Sequence, residues 1–317
     1  MTAVPRFVFF DGLPGSGKTT TAQRIWLHLR RLGRPARWWF EHEVGHPIFD
    51  DDQVRVARAQ GGAEPNAIFA RAVDHYAALT AQLRASDETV LLESTLFQSA
   101  VGTQVLMDLP VAEIERHFVQ AMAAVAPLRP ALVYLRPPDV GAALRAIARK
   151  RGDWFPEFAV AHMANTPRGR RMGLKTYDDA ITVFEEHRTI CDRLLPRFPG
   201  ERLTLDPSAG GWPRLMRDVT QFLGLPPMTE PAPAADLPDY TGRYRSSAGD
   251  ELHVVSDERG LFLESEGRPR LWPLPGGGFA LEGVNIEIGF ERDAAGRPCR
   301  ARCIGALHDL AVEWAKL

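Results

Sequence analysis

The residues best suited to chemistry stand near the start of the chain, in Gly12-Leu13-Pro14-Gly15-Ser16-Gly17-Lys18-Thr19-Thr20. This run satisfies G-x-x-x-x-G-K-[ST] between an apolar strand pattern and a helical one, the context that a phosphate-binding loop requires. Glycine lets backbone N–H groups curl around phosphate oxygens with no Cβ in the way. The following helix start adds partial positive charge. Gly12, Gly15, Ser16, Gly17, Lys18, Thr19 and Thr20 are therefore expected to bind ATP. Lys18 would reach the β- and γ-phosphates, and the Thr19 hydroxyl would bind Mg²⁺.

Phosphoryl transfer also asks for carboxylates, one beside the metal and one to take the acceptor's proton. Both should project from the carboxyl ends of parallel strands, where such folds bind ligands. Glu93 ends an apolar run, Val90-Leu91-Leu92, and fits the metal side; it could equally cap the next helix. Glu41-His42-Glu43 follows Trp38-Trp39-Phe40. Glu41, the first polar residue there, is the candidate base, with Glu43 and His42 as alternatives or substrate contacts. A solvated loop would look the same. Asp50-Asp51-Asp52 reads as a helix cap rather than a metal site.

The elements that must hold these groups are visible as alternation. Strands are expected at Phe7–Phe10, Ala36–Phe40, Thr89–Leu92, Ala131–Leu135 and Arg202–Leu205. Helices are expected near Lys18–Leu32, Pro65–Ala85, Glu113–Val125, Val140–Arg149, Leu174–Leu195 and Pro213–Leu223. Alternation of this kind predicts an α/β fold, a parallel sheet covered by helices. Residues 224–238 hold five prolines and no apolar period, which reads as a linker. Beyond it, six short alternating runs between Leu252 and Leu307, separated by Gly-rich turns, predict a small antiparallel sandwich or barrel. The chain thus divides into a phosphate-loop domain over 1–223, a linker over 224–238 and a β domain over 239–317.

Several nucleotide-binding classes are excluded. None of the four lysines lies in an N-K-x-D guanine reader, L-S-G-G-Q is absent, and the third strand ends in Glu-Ser-Thr rather than Asp-Glu. What remains resembles the nucleoside and nucleotide kinase group, thymidylate-kinase-like members included, over roughly residues 5–223. The resemblance implies a general-base Glu after the second strand and an E-R-S triplet at Glu93-Ser94-Thr95, whose Glu organises magnesium. The triplet's Arg is missing here, so substrate handling must differ. It also implies an arginine lid, for which Arg145, Arg149 and Arg151 are candidates; guanidinium forks suit phosphate oxygens. A basic helix end complementing the dipole is the plainer alternative. Arg168, Arg170 and Arg171 form another basic cluster, suited to an anionic acceptor. Trp38, Trp39, Phe40, Phe69, Tyr76, Phe97, Trp154 and Phe155 flank the expected pocket, most of them as core.

The β domain, through Tyr240-Thr241-Gly242-Arg243-Tyr244 and Phe290-Glu291-Arg292-Asp293-Ala294-Ala295-Gly296-Arg297, resembles lipocalin-like domains that follow penicillin-binding-protein-like serine hydrolases. No hydrolase triad precedes it, so that activity is not implied. With 10 basic and 13 acidic residues it is no nucleic-acid module. A filled barrel offering a docking or homodimer surface is expected. Across the 317 residues, 38 basic and 40 acidic groups leave a net charge of −2, with no broad field for nucleic acid or anionic lipid. Cys299 and Cys303, about 13 Å apart at strand rise, are too far apart to share a metal and read as packing residues. No signal pattern and no membrane-length apolar run is seen, so a cytoplasmic protein is expected.

The expected activity is ATP- and Mg²⁺-dependent transfer of the γ-phosphate to a hydroxyl or phosphate of a small molecule, such as a nucleoside, nucleotide or natural product. The alternative is a nucleotide-gated regulatory ATPase whose β domain docks a partner.

Overall fold

The computed structural model describes residues 4–41, 43–49, 65–229, 237–265, 267–305 and 312–317. His42 and Asp50-Asp51-Asp52 lie outside the described residues, as does part of the proline-rich stretch. The strands β1 (Phe7–Gly12), β2 (Ala36–Trp39), β3 (Thr89–Glu93), β4 (Ala131–Leu135) and β5 (Glu201–Leu205) form one sheet. Its order is β2-β3-β1-β4-β5, and every pairing is parallel. The central strands β1, β3 and β4 are buried along their whole length. That is why they read as continuous apolar runs rather than alternating ones.

Successive side chains of these strands enter opposite layers. Phe7, Phe9, Leu92, Leu132 and Tyr134 pack with the helices α2 (Pro65–Arg84), α4 (Val111–Val125) and α8 (Tyr177–Leu194). Val8, Phe10, Leu91 and Val133 pack instead with α1 (Lys18–Arg31) and α9 (Gly211–Phe222). Among the described residues, this half has four further α-helices: α3 (Gly102–Leu106), α5 (Val140–Arg151), α6 (Trp154–Ala164) and α7 (Pro167–Met172). Among the described residues, no helix is long and apolar enough to cross a membrane.

The second half is a closed antiparallel barrel of eight strands: β6 (Gly242–Ser246), β7 (Glu251–Asp257), β8 (Gly260–Leu263), β9 (Arg270–Pro273), β10 (Phe279–Leu281), β11 (Ile286–Arg292), β12 (Pro298–Gly305) and β13 (Glu313–Lys316). Each strand pairs with its sequence neighbour, and β13 closes onto β6 through Trp314 opposite Ser246. Closure leaves no exposed edge. The periodicity indicated six strands; β6 and β13, which pair with each other to close the ring, are the two it did not mark. Tyr244, Val254, Leu261, Leu271, Phe279, Ile288 and Ala301 form the barrel's buried core. Cys299 is exposed and Cys303 half-buried, so Cys299 is not the packing residue its sequence context indicates; its side chain faces outward on β12.

The two halves share a core. Trp272, Leu274 and Ala280 of the barrel join Trp26, Trp38, Leu215 and Val219 in one apolar cluster. Around it, Arg30 pairs with Glu287 at 3.0 Å, and the Arg24 guanidinium lies 4.9 Å from the centre of the Trp272 ring.

Candidate active site

The phosphate loop leaves β1 at Gly12, whose φ of +150° and surroundings permit only glycine: a Cβ would meet the Leu135 carbonyl oxygen at 2.3 Å. Gly15 and Gly17 also have positive φ, and Gly17 begins α1 with no side-chain cap. The first-turn amides of α1 are thus left to a ligand. Ser16 Oγ is buried with no hydrogen-bond partner. Ile147 sits where a Cβ on Gly15 would project, so α5 lies against the loop. Thr20 follows Thr19 within the first turn of α1.

Lys18 is buried, and its Nζ donates to the Leu13 carbonyl at 3.0 Å and to Gln98 Oε1 at 2.6 Å. Gln98 then spans the site. Its Nε2 donates to both Glu41 oxygens, at 2.8 and 2.7 Å. One amide therefore connects the phosphate-loop lysine to the candidate base, its carbonyl facing the cation and its NH₂ facing the carboxylate.

Glu93 is buried at the carboxyl end of β3. Its Oε1 accepts from Thr19 Oγ1 at 2.7 Å and from Ser94 Oγ at 2.6 Å. Its Oε2 is buried with no hydrogen-bond partner. Burial first, and then the charge of Glu41, raise its pKa; Lys18, Ser94 and Thr19 oppose the rise. A hydroxyl beside a carboxylate with one unsatisfied oxygen is a fitting donor set for Mg²⁺, a hard cation that takes few protein ligands and keeps water and phosphate oxygens.

Asp11, the residue before Gly12, organises the segment that leaves β3. It is fully buried and accepts from the N–H groups of Gly12, Leu96, Phe97 and Gln98 at 2.8 to 2.9 Å. The last three open a π-helical turn, Thr95–Val101, entered through Ser94 at φ +59°. Burial raises the Asp11 pKa, while Lys18 and these amides pull it down. Sequence reasoning missed Asp11 and Gln98. An acidic residue ending an otherwise apolar strand was the available signal for Asp11; Gln98 left none.

The candidate groups border a cavity of about 400 Å³. Lys18, Thr19, Glu41, Glu93 and Gln98 line its polar end; Val105, Leu106, Phe155, Phe158, Met163 and Phe184 form an apolar wall. His187 also lines it, with Nε2–H donating to the Phe97 carbonyl at 2.8 Å and burial pushing its pKa down to about 4. The imidazole is therefore a neutral group at ordinary pH.

The remaining candidates separate by position. Arg151 lines the cavity, its guanidinium 5.2 Å from the Phe155 ring centre. Arg149 is exposed and outside the lining. Arg145 is exposed and pairs with Asp178 at 2.7 Å. Arg168 and Arg171 both bind Asp108, and Arg168 also binds Glu186, so this cluster ties α7 to neighbouring elements. Glu43 is only 2% exposed and is held by Arg37, by the Phe40 N–H at 3.3 Å and by Asn285 of the barrel at 2.6 Å. It faces the inter-domain seam, whereas Glu41 faces the cavity. Of the eight aromatic candidates, Phe40 and Phe155 line the cavity, while Trp38, Phe69, Tyr76 and Phe97 are core.

A phosphate loop on a five-stranded parallel sheet, with Glu93 beside it at the end of β3, defines a P-loop NTPase-like fold, joined here to a closed eight-stranded barrel. No family model matches the chain, and no curated protein matches it. Among solved structures it is similar to deoxyadenosine kinase from M. mycoides with bound dATP, at 13% identity and a TM-score of 0.39, covering 69% of this chain and 98% of that one.

Proposed function

We propose that the protein is an ATP- and Mg²⁺-dependent phosphotransferase acting on a hydroxyl of a small molecule. The observation that carries this reading is the Lys18–Gln98–Glu41 bridge, which sets a phosphate-binding cation and a carboxylate on one cavity. Lys18 and the loop amides hold the β- and γ-phosphates, and Arg151 approaches the transferring group from the lid. Thr19 and Glu93 would hold Mg²⁺, which supplies charge neutralisation on the phosphate oxygens.

Glu41 accepts the proton of the acceptor hydroxyl as that oxygen bonds to the γ-phosphorus and the bond from phosphorus to the bridging oxygen breaks, releasing ADP. Gln98 keeps the carboxylate directed at the reacting hydroxyl. The apolar wall excludes water and so favours the alcohol over hydrolysis. Nucleosides and aromatic natural products are acceptors of suitable form for such a wall.

The test is ADP release from Mg²⁺-ATP, alone and with pools of nucleosides, nucleotides, sugars and hydroxyl-bearing aromatic compounds. Stimulation by one pool supports the kinase and names its acceptor class. Slow ADP release unmoved by every pool favours the regulatory ATPase instead.

A further inference from the structure

The turn between β10 and β11 leaves the barrel and enters the site. Gly283 lines the same cavity as Lys18 and Glu41. The turn is held by Gln23, a fully buried residue of α1 five positions beyond Lys18. Gln23 Nε2 donates to the carbonyls of Leu281 at 2.7 Å and Val284 at 3.1 Å, and its Oε1 accepts from the Gly283 N–H at 2.9 Å. All three partners are barrel backbone, so the contact is specific in register rather than merely apolar.

Asn285, two residues further, reaches the loop that carries the candidate base. Its Nδ2 donates to Glu43 Oε2 at 2.6 Å and to the Trp38 carbonyl at 3.4 Å. Glu43 closes that loop on itself: its N–H donates to the Phe40 carbonyl at 3.0 Å, and its carboxylate takes the Phe40 N–H and the Arg37 guanidinium. Glu41 lies inside the closed loop. A carboxylate this buried needs partners on both oxygens, and the barrel supplies the short one on Oε2.

We propose that the barrel is a working part of the site, in which Asn285 acts as a positioning residue for Glu41 through the buried carboxylate of Glu43. The role given to Glu41 rests on the phosphotransferase reading above; the fixing of the loop by the barrel does not. Without the Asn285 amide, Oε2 keeps only the 3.3 Å bond from Phe40. Glu43 then gains by turning to water, which opens the loop and carries Glu41 away from Gln98. A displacement of about 1 Å in a reacting group costs on the order of a hundredfold in rate.

The experiment uses the full chain. In Asn285→Ala, amide exchange over residues 37–49 is expected to accelerate at least about tenfold, while α1 and β1 keep their protection. With the acceptor that the ADP-release pools identify, turnover falls about 10–100-fold and the KM for ATP stays within about twofold. Asn285→Asp sets two carboxylates against each other and removes the donor to the Trp38 carbonyl, and has the same effect. Arg30→Gln removes an ion pair of the seam but keeps the Glu287 charge that reaches Arg37, and both readouts stay unchanged. Unchanged exchange over 37–49 in Asn285→Ala overturns the proposal whatever the activity. Equal losses in Arg30→Gln also overturn it, since the seam would then act only as structure. A wild-type protein that phosphorylates nothing overturns the kinase reading instead, and the exchange result still decides whether the barrel fixes the loop.

Discussion

Gln98 shows how few atoms join the two chemical demands of the site. Its carbonyl meets Lys18 and its NH₂ meets Glu41, so a single flat amide sets the separation between the phosphate-loop lysine and the candidate base. Gln98→Leu keeps the bulk and removes both contacts; turnover is expected to fall about 10–100-fold with protein stability nearly unchanged, read from steady-state kinetics beside a melting curve. Lys18→Ala is expected to abolish phosphoryl transfer while leaving the fold intact, and full activity in that variant would exclude the mechanism. Glu41→Gln removes the base and should cost about 10²–10⁴-fold in turnover, whereas a loss below about tenfold returns Glu41 to the scaffold. Lys18 and Thr19 were legible because their motif is local: the phosphate loop needs nothing outside ten consecutive residues. Gln98 was not, because its partners lie 80 and 57 residues away, and one glutamine in a polar stretch carries no periodic or spacing signal.

At the scale of elements, one carboxylate replaces what secondary-structure propensity does not supply. Thr95–Val101 is a π-helical turn entered through a left-handed serine, both unfavourable locally. Three of its first N–H groups end on Asp11, so the turn is specified from β1 rather than by its own residues. Asp11→Ala leaves four buried N–H groups without their acceptor. Unfolding stability should drop by about 3 kcal/mol or more, at about 1–3 kcal/mol for each group that finds no replacement; a denaturant titration measures it. The strands of the parallel sheet were readable because burial on both faces makes them apolar throughout. The helix α6 was not, since Trp154–Ala164 is apolar almost throughout and no polar face sets off the buried one. Phe155, Phe158 and Met163, at i, i+3 and i+8, line the cavity from one face, while Trp154 is exposed.

For the whole molecule, the seam between sheet and barrel decides what kind of protein this is. Composition marked the two halves through the proline-rich stretch, but nothing local announced that Gln23 would meet the β10–β11 turn, or Glu43 meet Asn285, across more than 240 residues of chain. Folding of the half built on the parallel sheet also carries a pH term. His187 is neutral and buried, with a pKa pushed down to about 4 against an ordinary value near 6.5. Below about pH 6.5 the unfolded chain takes a proton at this site and the folded chain does not. Stability therefore falls as pH drops from about 6.5 to about 4 and then levels, a loss on the order of 3 kcal/mol from this group. Denaturant midpoints at pH 7 and pH 5 should differ less in His187→Gln than in the wild type, and parallel shifts would refute the assignment.

The central claim is that the cavity transfers phosphate to an alcohol. Its most direct measurement is mass spectrometry of the products formed from Mg²⁺-ATP labelled with ¹⁸O on the γ-phosphate, with the acceptor pool that stimulates ADP release. The account predicts a phosphomonoester about 80 Da heavier than the acceptor, before counting the label, that carries the labelled oxygens and is absent with Lys18→Ala. Labelled inorganic phosphate alone, with every acceptor recovered unchanged, would contradict it.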